Sequence, residues 1–400
     1  MIERIYQKIL DDHFEKNNQM AFLSGARQVG KTTTSRTIKA KCLYINWDNQ
    51  ADRIAISAGP DNVAEKSGLL DLENKHARIV FDELHKYSKW KNFIKGFYDN
   101  FNEDYKIIVT GSARLNIFKR GGDSLMGRYF LYRMHPLTVA ELNAPQFQLS
   151  EIRKPTKIAD DTFKHLLNYS GFPEPFIKSD TRFYNRWKRL RLELFFNEDL
   201  RDVTNIQEIS QIEILAELLR NQVGQLINLS SLARNINVSV DTIRRWVLTL
   251  ENMYYCYLIR PWFKNVPKSL RKQPKVYLWD WSTVTDPGAR YENLIASHLL
   301  KAVHYWTDAG FADYGLYFLR DKTKREVDFL ITKNQSPWIL IEAKSSGSKA
   351  VSPHLKYFHK LLSAEHAFQI ISDAPYVELD CFTMKKPVKV PIQTFLSQLV

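Results

Sequence analysis

The sequence predicts an α/β fold built from more than one domain, and three observations carry that reading. A glycine-bounded run, Gly25-Ala26-Arg27-Gln28-Val29-Gly30-Lys31-Thr32, lies between an apolar segment and a helical one. Two further apolar segments, Arg78–Phe81 and Lys106–Val109, run into acids and into small polar residues respectively, as buried parallel strands do at the sheet edge that serves α/β sites. Beyond residue 285 a helical pattern gives way to strands carrying acids and a lysine at fixed spacing. At 400 residues the chain exceeds what one core usually organises.

The first run has the G-x-x-x-x-G-K-T form of a phosphate-binding loop, placed after Met20-Ala21-Phe22-Leu23 and before Thr33-Thr34-Ser35-Arg36-Thr37-Ile38. Gly25 and Gly30 let backbone N–H groups converge on phosphate oxygens, and the helix start adds partial positive charge. Lys31 is placed to reach the β- and γ-phosphates, and Thr32 offers its hydroxyl to Mg²⁺. The whole stretch Gly25, Ala26, Arg27, Gln28, Val29, Gly30, Lys31, Thr32 and Thr33 is therefore the expected binding segment for a nucleoside triphosphate.

Arg78-Ile79-Val80-Phe81-Asp82-Glu83 reads as a strand delivering two carboxylates to its C-terminal end. Asp82 would hold Mg²⁺ through its water shell, and Glu83 would orient and deprotonate the attacking water. Lys106-Ile107-Ile108-Val109-Thr110-Gly111-Ser112-Ala113-Arg114 is the next strand, with Thr110 and Ser112 as candidates for a polar sensor at the γ-phosphate. A further strand, Tyr129–Met134, follows Gly127-Arg128. Phosphoryl transfer calls for positive charge at the γ-phosphate, often from a neighbouring subunit; Arg128 is the first choice for it and Arg114 the second.

With the phosphate loop, Phe81-Asp82-Glu83-Leu84-His85, Thr110-Gly111-Ser112-Ala113-Arg114, Gly127-Arg128, His135-Pro136-Leu137-Thr138-Val139-Ala140-Glu141-Leu142 and Gly171-Phe172-Pro173-Glu174-Pro175, the chain resembles a group of prokaryotic AAA+ ATPases with a largely uncharacterised C-terminal domain. The resemblance runs through most of the chain and includes Tyr277-Leu278-Trp279-Asp280. It implies a P-loop AAA+ fold and ATP as the nucleotide, and it implies no settled cellular role.

Residues 161–225 carry long helical patterns, as a helical lid would. The segment from Leu226 to Val247 has helix-turn-helix cadence: a short helix ends near Asn235, and Ser239 caps a second one with Asp241 in its first turn. Ile243, Trp246, Val247 and Leu250 form its buried stripe, which turns Thr242, Arg245 and Thr249 outward as DNA-facing candidates. Tyr254–Ile259 would supply the strand of a winged-helix segment. The acid-free stretch from Asn252 to Trp279 holds Arg260, Lys264, Lys268, Arg271, Lys272 and Lys275, of which Lys268, Arg271 and Lys272 are the chosen phosphate-backbone contacts. A second basic cluster, Arg182, Arg186, Lys188, Arg189 and Arg191 with Trp187, falls on a predicted helix.

At the C-terminal end, Glu326–Ile331 and Trp338–Lys344 read as a hairpin, preceded by a helix bearing Glu292. The spacing Asp328-x13-Glu342-x-Lys344 matches a restriction-endonuclease-like α/β domain. Glu342 and Lys344 share one face of a strand, so Glu292, Asp328 and Glu342 form a possible second metal site with Lys344 as the activating lysine. The expected organisation is an ATPase domain over 1–150, helical lid and winged helix over 151–265, and the endonuclease-like domain over 266–400.

Lysine and arginine outnumber acids 57 to 44, a formal +13 that favours a polyanionic partner, with DNA foremost. No long apolar run or signal-type core occurs, which predicts a soluble cytoplasmic protein without membrane attachment. Cys42, Cys256 and Cys381 have no metal or redox spacing. The expected function is ATP hydrolysis with Mg²⁺ coupled to DNA binding and remodelling or processing, with branched DNA as one candidate and a homo-oligomer, a hexamer among the candidates, supplying the arginine. Two alternatives stay open: a nucleotide-dependent switch with a protein partner, and an ATP-licensed nuclease.

Overall fold

Segments that are apolar along their whole length need cover on both faces, and they occupy the middle of a sheet. In the computed structural model Met20–Gly25, Arg78–Asp82 and Lys106–Gly111 are the inner strands of a five-stranded sheet. The more exposed Cys42–Asn46 and Tyr129–Met134 are its edges. Residues 2–37, 42–68, 77–111, 125–143, 149–201, 208–263, 272–347 and 350–400 are described; Ser112, Arg114, Lys264, Lys268 and Arg271 lie outside them. The chain divides into two compact units, 1–135 and 136–400.

In the first unit the order of elements is α1 (Ile5–Lys16), β1 (Met20–Gly25), α2 (Lys31–Arg36), β2 (Cys42–Asn46), α3 (Gln50–Ala58), α4 (Pro60–Lys66), β3 (Arg78–Asp82), α5 (Trp90–Phe101), β4 (Lys106–Gly111) and β5 (Tyr129–Met134). The sheet order is β2-β3-β4-β1-β5 and every pairing is parallel. All five strands therefore end at the same edge, which places Gly25, Asn46, Asp82 and Gly111 side by side. Helix α5 buries Trp90, Phe93, Ile94 and Phe97, a single 3.6-period stripe, against Phe81 and its neighbours.

The second unit begins with helices: α6 (Val139–Leu142), α7 (Asp160–Tyr169), α8 (Pro173–Lys178), α9 (Thr181–Leu194), α10 (Ile209–Arg220), α11 (Leu229–Ile236) and α12 (Val240–Asn252). The helix-turn-helix reading of the sequence corresponds to α11 and α12. Asn228 accepts from Ser231 N at 3.1 Å, Asn237 turns the chain at φ 60°, and Ser239 accepts from Thr242 N at 3.0 Å. Ile243, Trp246, Val247 and Leu250 are buried as the periodicity requires.

There follow β6 (Cys256–Pro261), β7 (Lys275–Leu278), α13 (Pro287–Asp308), β8 (Tyr314–Arg320), β9 (Glu326–Lys333), β10 (Ser336–Lys344), α14 (Pro353–Leu362), β11 (His366–Ile371), β12 (Val388–Pro391) and α15 (Ile392–Ser397). The strands form one sheet in the order β12-β11-β10-β9-β8-β6-β7. Strand β6, read from sequence as a wing, is an inner strand of this sheet, antiparallel to β7 and parallel to β8. The β9–β10 hairpin turns at Asn334 and Gln335, both with positive φ, the geometry that matches the twist of two paired strands.

His298 joins α13 to α6. Its Nε2 accepts from Val139 N at 3.1 Å, and Nδ1 donates to Leu294 O at 2.8 Å. Burial pushes the imidazole down to about 3. Between its ordinary value of 6.5 and about 3, the unfolded chain binds a proton here that the folded protein refuses. Stability therefore falls as pH drops through that window, by up to ~1.4 kcal/mol per pH unit. Urea unfolding of wild type and His298→Gln at pH 7 and 5 should show the smaller pH dependence in the variant.

Candidate nucleotide site and acidic cleft

The nucleotide site is built where β1, β3 and β4 end. Gly25 is dictated by packing as much as by phosphate access, since a Cβ there would lie 2.3 Å from Met134 O on β5. The loop then bends through Gln28 (φ 63°) and Gly30 (φ 102°) into α2. Ala26 and Val29 face the core, whereas Arg27, Gln28 and Thr33 are exposed. Lys31 is buried, and its Nζ donates to Gly25 O at 2.9 Å and Ala26 O at 2.8 Å, which folds the ammonium inside the loop.

Asp82 is the hub. Its Oδ2 accepts from Thr32 Oγ1 at 2.8 Å and from the Tyr44 hydroxyl, and its Oδ1 accepts from the Thr110 hydroxyl and from Glu83 N at 3.1 Å. Thr32 and Asp82 present hard oxygens of the kind Mg²⁺ takes. Glu83 leaves the strand in the left-handed region at φ 55°, a conformation that costs a non-glycine residue energy and re-aims its side chain. Burial pushes the Glu83 carboxyl up, against the pull of Lys86 and Lys31. Lys86 stands 3.5 Å from Glu83 and 2.7 Å from Asp48. A base with a raised value is better matched to proton removal near neutral pH.

Two residues of this site escaped the sequence reading. Tyr44 pairs in register with Val80, so it shares a sheet face with Asp82 and reaches its carboxylate. Burial, then the hydrogen bond to Asp82, pushes its phenol up, and the Arg36 guanidinium lies 3.6 Å over its ring. Arg4, also buried, donates to Val29 O at 2.7 Å and His135 O at 2.6 Å, tying the loop to the end of β5. Neither residue belongs to a recurrent spacing, although the strand alternation of β2 points to Tyr44.

Arg128 is at the opposite end of the sheet. Its carbonyl accepts from Met20 N at the start of β1, and its guanidinium is held by Asp99 at 2.8 and 3.2 Å. Parallel strands place their N-terminal ends a strand length, roughly 17–20 Å, from the edge that carries the loop. Arg128 cannot serve its own loop from there.

In the second unit the four residues of the nuclease-like reading do converge. Lys344 Nζ lies 2.8 Å from Glu342 Oε1, as same-face strand positions require, and Asp328 Oδ2 accepts from Ala343 N at 2.9 Å. A cleft of about 620 Å³ opens here, with Glu292, Ala343, Lys344 and Asp373 in its wall. Glu292 accepts from the Tyr277 hydroxyl at 2.7 Å, and Gly224 packs so close that a Cβ would lie 3.1 Å from Glu292 Oε1.

One residue changes meaning. Lys275, grouped by sequence with the basic linker, is a buried strand residue 2.7 Å from Glu326, 3.5 Å from Asp328 and 3.6 Å from Glu292. Burial alone would lower its value, yet the three carboxylates hold the ammonium above the ordinary lysine range. Burial, with repulsion from Asp328, pushes Glu292 up to about 7. Among the described residues no group of three or more His, Cys, Asp or Glu side chains is arranged to hold a metal ion.

Of the DNA-facing candidates, Lys272 is exposed and Thr242 is half-buried. Arg245 is exposed and pairs with Glu208 at 3.2 Å. On α9, Arg182, Arg186 and Arg189 are exposed, whereas Arg191 turns inward over Phe172 at 3.9 Å. Among the described residues no helix is long and apolar enough to cross a membrane.

Residues 17–143 match the family model of an AAA domain, which supports an AAA+ P-loop ATPase fold for the stretch that holds the loop and Asp82. Residues 160–285 and 287–380 match two models described as domains of unknown function, DUF8612 and DUF4143. Uncharacterized proteins of Mycobacterium bovis and Mycobacterium tuberculosis are each 23% identical over 383 residues, covering 90% of this chain and 80% of their own. Among solved structures the chain is similar to the Aeropyrum pernix ORC1 protein in complex with DNA, at TM-score 0.33 and 12% identity over 75% of this chain and 94% of that one. It is also similar to AMPPCP-bound DnaA from Aquifex aeolicus, at TM-score 0.28 and 14% identity over 61% and 86%.

Proposed function

We propose that the chain is an ATP-binding and ATP-hydrolysing AAA+ protein that binds DNA and remodels or processes it, with branched DNA as the candidate substrate. The observation that carries the ATPase reading is the hydrogen bond between Thr32 and Asp82, which joins the loop to the acid strand beside Glu83. Thr32 and Asp82 would hold Mg²⁺, whose charge would offset that developing on the phosphate. Lys31 stabilises the same charge from the loop, and Glu83 takes the proton of the attacking water on its carboxylate. Thr110 and Tyr44 hold Asp82 in place by donating to its two oxygens.

Arg128, remote from its own loop, would act on a neighbouring copy, so the proposal includes a homo-oligomer. The DNA half is supported by the +13 formal charge and by the exposed basic residues of α9 and α12 with Lys272.

Turnover of wild type and Glu83→Gln with linear, single-stranded and four-way DNA tests the proposal. The variant should keep ATP binding and lose about 10²–10⁴-fold in turnover. DNA should stimulate the wild type, and its affinity should fall steeply with salt. Turnover indifferent to every DNA form, with no binding at moderate salt, would remove the DNA half; slow DNA-independent hydrolysis with retained ADP would favour a switch with a protein partner.

A further inference from the structure

The acidic cleft of the second unit has the residue types of a metal-dependent nuclease, yet its charge is already answered from within the chain. Lys275 is an anchored strand residue. Its neighbours bond Gln225 and Ile227 through Val276 N and Pro274 O, and it pairs in register with Ile259 on β6 and with Leu226 on the other side. A backbone held on both sides keeps the base of the Lys275 side chain beside the carboxylates of the cleft. The ammonium, 4% exposed, reaches one carboxylate oxygen each of Glu326, Asp328 and Glu292.

Further donors meet the same acids. Glu292 Oε1 receives Tyr277, Asp328 Oδ2 receives Ala343 N, and Glu326 Oε2 pairs with Arg320 at 3.0 Å. Glu342 gives Oε1 to Lys344, and only its Oε2 is buried with no hydrogen-bond donor among the described residues. A divalent ion entering here would bring two positive charges beside a buried ammonium, and to take Asp328 or Glu326 it would have to displace Lys275, Ala343 N or Arg320. The residues present therefore do not fit a metal with Lys275 in place.

We propose that Lys275 is the resident cation of this cleft, answering the charge of Glu292, Glu326 and Asp328, so that the cleft neither binds a divalent ion nor cuts phosphodiesters through one. The proposal is independent of the ATPase and DNA readings, because every group in it belongs to the second unit. It also gives the acid cluster a structural role, since one ammonium ties β7, β9 and α13 together.

The test is Mn²⁺ binding followed by electron paramagnetic resonance on the full-length, nucleotide-free protein. Wild type and Asp328→Asn should bind the same number of ions, because no ion is held in the cleft. Lys275→Met, close in length and uncharged, should gain one ion per chain, and Lys275→Met/Asp328→Asn should lose it again. A wild type that loses an ion on Asp328→Asn overturns the proposal, as does a folded Lys275→Met that gains none. Should Lys275→Met fail to fold, the comparison of wild type with Asp328→Asn decides alone. Nicking of supercoiled DNA with Mg²⁺ by wild type and not by Asp328→Asn would likewise overturn it.

Discussion

Lys31→Ala is expected to slow ATP turnover steeply and to weaken ATP binding about 10- to 100-fold, the worth of a charge-assisted bond of ~1.5–3 kcal/mol. The ammonium lies inside the loop on Gly25 O and Ala26 O, at the position from which it can move onto phosphate oxygens without a backbone rearrangement. Its loss from the transition state should cost a further ~10²–10³-fold in rate, as removal of one preorganised donor does. Nucleotide titration and steady-state turnover read the two effects separately. Melting without nucleotide checks that the loop still folds, for which Arg4 on Val29 O and the packing of Gly25 against Met134 remain. A variant that hydrolyses ATP at the wild-type rate would remove the loop from the mechanism.

The second large effect is on stability. Lys301 and Glu141 are both fully inaccessible and paired at 2.5 Å, and the same ammonium donates to Thr138 Oγ1 at 3.1 Å and Pro136 O at 3.3 Å. Thr138 in turn donates to Val400 O at 2.7 Å, which seats the end of the chain. Lys301→Met takes the ammonium away from a fully buried carboxylate, and breaking such a pair costs ~3–5 kcal/mol. Denaturant unfolding should show that loss, and a melting shift on the order of 10 °C should accompany it. Adding Glu141→Leu removes the buried carboxylate as well and should recover most of the loss; a double variant no better than the single one would refute the buried-charge account.

Local patterns were legible wherever the physics is local. The strand–loop–helix of residues 20–36 follows from apolar run, glycines and helix start in one contiguous stretch, and the α11–α12 pair follows from its caps and its 3.6-residue stripe. The β9–β10 hairpin and the side-by-side placement of Glu342 and Lys344 follow from a period of two. Thr110, read as a candidate polar sensor for the γ-phosphate, donates to Asp82, because adjacent parallel strands end together. Less was legible where pairing joins distant segments. Strand β6 looked like a wing because nothing in its own residues shows that β8, more than fifty residues later, lies along it. Arg4 and Tyr44 act on the loop and on Asp82 from positions without any motif.

By itself, then, the sequence determined a phosphate loop, its acid strand, a basic surplus and a set of acids with nuclease-like spacing, because each is carried by neighbours in the chain. The tertiary structure decided which charges meet. It turned Arg128 to the far edge of its sheet, since strand direction is set by pairing. It also took Lys275 out of the basic linker and set it among Glu292, Glu326 and Asp328, since burial, and not composition, determines whether a lysine faces solvent or serves as a counter-ion.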